Sequence, residues 1–125
     1  MKQRFFSFEG RIGRGTYLWT TLGLTAALFA VLLVVGLPVL LLGIDQATQK
    51  LTPGAAVSLA LLYLVVFVFG TWASLAAGAK RWHDLGRSGW LMLLLYIPLV
   101  GFIAWCYMAF VPGQEGGNEY GLPPL

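Results

Sequence analysis

TYLWTTLGLTAALFAVLLVVGLPVLLL, residues 16–42, carries no charged side chain. The run exceeds the ~20 apolar residues that take an α-helix across a bilayer. Tyr17 and Trp19 stand at its start, where aromatic rings meet the membrane interface. It is read as a first transmembrane helix that ends near Gly36-Leu37-Pro38, because proline lacks a backbone donor and crowds the preceding turn. A kink there is the alternative inside a membrane. The whole chain agrees, with 58% hydrophobic and 10% charged residues, where soluble domains carry about a quarter charged.

Working outward, the segment before this run joins Phe5, Phe6 and Phe8 to Lys2, Arg4, Arg11 and Arg14. Rings and cations together suit a headgroup boundary, so residues 1–15 read as an interfacial segment or a topogenic signal. Glu9, Arg11 and Arg14 separate those rings from the apolar run, which suggests a retained anchor rather than a cleaved signal peptide. After the run comes a short polar connection, and Thr52-Pro53 then pairs a helix N-cap with proline at the first helical position. A second span is expected over about 53–79. Gly70, Ser74 and Gly78 repeat at intervals of four on one of its faces and allow close helix approach, within the bundle or between copies.

The second span runs into a polar hinge, residues 80–88, and Ser88 can cap a third helix over about 89–111. Pro98 and Gly101 interrupt that helix, and a kink is expected because each half alone is too short to cross. The tail, 112–125, is rich in Gly and Pro and should lack regular structure. The chain is therefore expected to be one all-α integral-membrane domain, residues 1–125, with three transmembrane helices in a small bundle and the third kinked at Pro98. Cations cluster before the first span and in the hinge, while Lys50 is the one base between the first two spans. The positive-inside rule places the N-terminus and hinge in the cytoplasm and, with three spans, the tail outside. A re-entrant third segment would instead return Glu115, Asn118, Glu119 and Tyr120 to the hinge cations.

Chemistry is sparse. Cys106 has no partner for an intramolecular disulfide, and with a single histidine no metal set can be assembled. His83 beside Asp84 suggests a general base, but no second histidine, nucleophile elbow or phosphate loop accompanies it. No cofactor, nucleic acid or catalysis is expected. A channel would need oligomers lined by Thr20, Thr25, Thr71 or Ser74, since the spans contain no charge. The leading expectation is a small membrane scaffold whose cytoplasmic face, Arg11, Arg14, Arg81, His83, Asp84 and Arg87, binds anionic lipid or a partner protein. The competing role for these residues is to fix topology and to tie the N-terminal segment to the hinge through pairs such as Asp84 with Arg11 or Arg14.

Three stretches carry a resemblance. They are Phe8-Glu9-Gly10-Arg11-Ile12-Gly13-Arg14 with Tyr17 and Trp19; Arg81-Trp82-His83-Asp84-Leu85-Gly86-Arg87-Ser88-Gly89-Trp90 with Ile97-Pro98 and Gly101; and Pro112-Gly113 with Asn118, Tyr120-Gly121 and Pro123. Together they cover nearly the whole chain, which resembles the domain-of-unknown-function family 805, small bacterial inner-membrane proteins. Trp82 stands where that family more often has leucine. The resemblance implies a multi-pass inner-membrane protein and brings no reaction with it.

Overall fold

The computed structural model describes residues 6–124; the expectations resting on Lys2, Arg4 and Phe5 lie outside them. Its elements are α1 (Arg14–Val31), a π-helical turn (Leu32–Gly36), α2 (Leu37–Leu42), a two-residue hairpin pair β1 (Ile44–Asp45) and β2 (Lys50–Leu51), α3 (Pro53–Asp84), a 3-10 helix (Gly89–Tyr96) and α4 (Val100–Phe110). They divide into two compact units. One is Gly23–Thr71, and the other joins the residues before that stretch to those after it.

Within Gly23–Thr71 the helical run does not stop at Pro38. One widened turn takes up the missing donor and the crowding of the ring, and the helix goes on to Leu42. Gly43 then ends it, donating its N–H to the Val39 carbonyl at 2.9 Å. No side chain fits at Gly43, because an added Cβ would lie 2.2 Å from that of Ala55. The antiparallel pair places Ile44 opposite Leu51 and Asp45 opposite Lys50. Asp45 Oδ1 accepts from the N–H groups of Ala47 and Thr48 at 2.8 and 2.9 Å, which tightens the turn and holds the carboxyl below its usual range. Thr52 Oγ1 accepts from Ala55 N at 3.4 Å, and Pro53 is the first residue of α3.

Two runs, Arg14–Leu42 and Pro53–Asp84, are long and apolar enough to cross a membrane. Only 6% of the most apolar window of each is buried. A core helix of a water-soluble protein would hide that face, whereas here Val34, Leu42, Val65 and Val68 are exposed.

The other unit holds the buried core: Ile12, Tyr17, Ala77, Ala79, Trp82, Leu85, Met92, Ala104 and Met108. Two expectations are corrected here. The hinge 80–88 is not a loop throughout, since α3 continues to Asp84 and only Leu85 to Ser88 leave the helix. This helix has 32 residues, more than a bilayer needs, so its charged last turn extends past the apolar stretch ending at Ala79. Nor do residues 89–111 form one kinked helix. Ser88 Oγ accepts from Trp90 N at 3.4 Å, but the helix it caps is 3-10 and ends at Tyr96.

Pro98 and Leu99, whose φ is +66°, then turn the chain into α4. The backbones close up at Gly101, where a Cβ would sit 2.3 Å from the Leu95 carbonyl oxygen. With 11 residues α4 is roughly 16 Å long at 1.5 Å per residue, about half of a hydrocarbon core of ~30 Å. The segment is a helical hairpin, not one continuous helix. Among its described residues the tail has no helix or paired strand beyond a bridge between Asn118 and Gly121, as its Gly and Pro content predicts.

Candidate functional site

The last turn of α3 places Arg81 and Asp84 on one face, three residues apart, and both are buried. Asp84 Oδ2 accepts from an Arg81 guanidinium N–H at 2.5 Å. Its Oδ1 meets Arg11, which arrives from the segment before α1 and donates through Nε at 3.1 Å, with a second nitrogen 2.9 Å away. One carboxylate thus stands between two buried guanidinium groups. The remaining donors are satisfied by carbonyls. Arg81 donates to Met108 O at 2.6 Å and to Val111 O, and Arg14 reaches Phe110 O at 3.4 Å. These are the carbonyls that the C-terminus of α4 leaves without helical partners, and their partial negative charge helps to balance the extra cation.

Arg11 also gathers the tail. It donates to Gln114 O at 2.6 Å, Gly116 O at 2.7 Å and Gly121 O at 3.3 Å. Gln114 N in turn donates to Asp84 O at 2.8 Å, and Asn118 Nδ2 donates to His83 O at 2.9 Å. Gly113 passes so close that a Cβ there would lie 1.9 Å from Asp84 Oδ2. Gly86, at φ +71°, both turns the chain in the left-handed region and makes room for the Gln114 side chain.

His83 lies beside this clamp. Its ring stacks on Tyr120 with centroids 4.0 Å apart and 5° between planes, and Nδ1 is 3.1 Å from Gly10 O. That contact makes Nδ1 the protonated nitrogen and leaves Nε2 an acceptor. Burial pushes the imidazole below its ordinary range, against the Gly10 hydrogen bond and the charge of Glu119. With Phe8, Trp90 and Tyr120, His83 lines a cavity of about 500 Å³.

The structure therefore brings Arg11, Arg81, Asp84 and His83 together, with Arg14 at the edge. Arg11 and Arg81 are turned inward and hydrogen-bonded within the chain, whereas Arg14 and Arg87 are exposed. The small residues of α3 also meet groups of their own chain. A Cβ at Gly70 would lie 2.6 Å from Leu28 Cδ1, Ser74 and Tyr96 hydrogen-bond through their side chains, and Gly78 faces Met92. Asn118 joins the site as the re-entrant alternative expects, whereas Gly113, Gln114 and Gly116 are not read from the sequence as part of it. Their one signal is the recurrence of Gly in the tail, since carbonyl ligands leave no mark on side-chain identity.

The family described as "Protein of unknown function (DUF805)" matches residues 5–122, nearly the whole chain and all of this clamp. The chain belongs to the DUF805 family. Among curated proteins it is similar to "Inner membrane protein YhaI" of Escherichia coli K12, with 29% identity over 98% of this chain and 89% of that protein. It is also similar to "Uncharacterized protein YiiR" of the same strain, with 30% identity over 97% of this chain and 88% of that one. No solved structure matches it.

Proposed function

We propose that this DUF805 protein is a bacterial inner-membrane scaffold that crosses the membrane twice, through the apolar stretches 16–42 and 53–79. The hairpin 89–110 enters and leaves on one side. The N-terminal segment, hinge and tail then lie together in the cytoplasm, where the cations before the first span and in the hinge favour them. Arg14 and Arg87, exposed at this face, meet anionic headgroups.

The observation that carries this reading is the reach of Arg11, which holds the Asp84 carboxylate and the tail carbonyls of Gln114 and Gly116 at once. A tail bound to the hinge cannot lie across a bilayer from it. The relative YhaI, an inner membrane protein by name, supports the inner membrane as the location.

A reporter fused after Leu125 tests the topology. Activity of a cytoplasmic reporter, with none from a periplasmic one, is expected. The opposite pattern requires three crossings and overturns the arrangement.

A further inference from the structure

We infer that the groove between Trp82 and the hairpin binds one anionic phospholipid of the bilayer, its phosphate on Arg87 and an acyl chain along Leu91, Leu94 and Ile103. The inference rests on the inner-membrane reading above and names a lipid site within it.

The groove encloses about 340 Å³ and is lined by Trp82, Arg87, Leu91, Leu94, Ile103 and Tyr107 among others. Trp82 is 6% exposed, and its indole Nε1–H is buried without an acceptor among the described residues. Arg87 projects at the surface and forms no ion pair among the described residues. Arg87 is the one charged group that lines the groove, beside the polar side chains of Trp82 and Tyr107, and no acid lines it. That combination selects an anion with several acceptor oxygens.

The other walls select a lipid. Leu91, Leu94, Val100 and Ile103 offer apolar surface, and the hairpin continues it outward with Leu99 and Phe102, 75% and 68% exposed. A small inorganic anion would use none of this surface. A phospholipid at the headgroup boundary has its charge at the depth of the hinge and its chain at the depth of the hairpin.

The test uses the full chain reconstituted in phosphatidylcholine vesicles containing spin-labelled phosphatidylglycerol or spin-labelled phosphatidylcholine, with the motionally restricted fraction measured for each. The wild type is expected to prefer phosphatidylglycerol. Arg87→Gln should weaken that preference roughly tenfold, as loss of a charge-assisted hydrogen bond does. Ile103→Trp should reduce it by filling the groove, and Lys50→Gln, on the β1–β2 hairpin, should leave it intact. Both Arg87 and Ile103 are exposed, so these variants keep the fold. If Arg14→Gln alone removes the preference, the groove is wrong while the cationic-face reading stands. If the wild type shows no preference, both fail together. If inorganic phosphate displaces phosphatidylglycerol completely, the site takes a free anion and the lipid assignment is overturned.

Discussion

Asp84→Asn is the most informative single change in this protein. Asp84 is 2% exposed and stands between Arg11 and Arg81, themselves 4% and 0% exposed. The substitution keeps the volume and one carbonyl acceptor but removes the one negative charge that the described residues place between Arg11 and Arg81, leaving two buried guanidinium groups without it. Breaking a buried ion pair from one side costs about 3–5 kcal/mol, because the partner charge stays uncompensated. Against a typical net stability of about 5–15 kcal/mol, that is a large share, and it lowers the folding constant by roughly two to four orders of magnitude. The loss should not be uniform. Arg11 also holds the tail, so the tail should loosen before α1 and α3 do.

The assay is paired: denaturant unfolding of the purified protein in detergent, followed by tryptophan fluorescence, and limited proteolysis of the tail. Arg14→Gln is the comparison, since an exposed cation with one long hydrogen bond should cost less than about 1 kcal/mol. An Asp84→Asn protein that unfolds within about 1 kcal/mol of the wild type, with its tail still resistant to protease, would refute the clamp.

Gly113→Ala should reproduce part of this effect, at about 1–3 kcal/mol, because its Cβ would meet the Asp84 carboxylate; tail proteolysis is again the readout. At Gly15, where a Cβ meets nothing within 4 Å, alanine should be neutral or stabilising by up to about 1 kcal/mol in the same unfolding assay. The His83 imidazole is depressed in the folded protein, so the unfolded chain takes up the proton first as pH falls below about 6.5. The stability contributed by neutral His83 is present above that value and declines as pH drops through it toward the folded pKa. His83→Gln should flatten this acid-side slope in unfolding curves recorded across that range, and a slope unchanged by the substitution would remove His83 from the coupling.

How much of this was legible beforehand differs by element. The two long apolar runs could be read directly, since a stretch of uncharged residues longer than a bilayer's span announces itself residue by residue. The cap and start at Thr52-Pro53 were equally local, and they are found there. The third segment was not legible in this way. Pro98 and Gly101 fit a kink as well as a reversal, and the choice turned on the Leu95 carbonyl packing against Gly101 and on a positive φ at Leu99. The polar residues of the hinge stood out by type, but their division into buried and exposed did not. Arg81 and Arg87 look alike as letters, yet one is sealed against Asp84 and the Met108 carbonyl while the other stays at the surface.

By itself, then, the sequence determined the helical class, the positions of the two long apolar helices and the family, because hydrophobicity, capping and motif spacing are local properties. Only the tertiary structure decided that the hairpin turns back and that the tail closes over Arg11. Those outcomes rest on backbone carbonyls from distant segments converging on two arginines, and a carbonyl is the same atom in every residue.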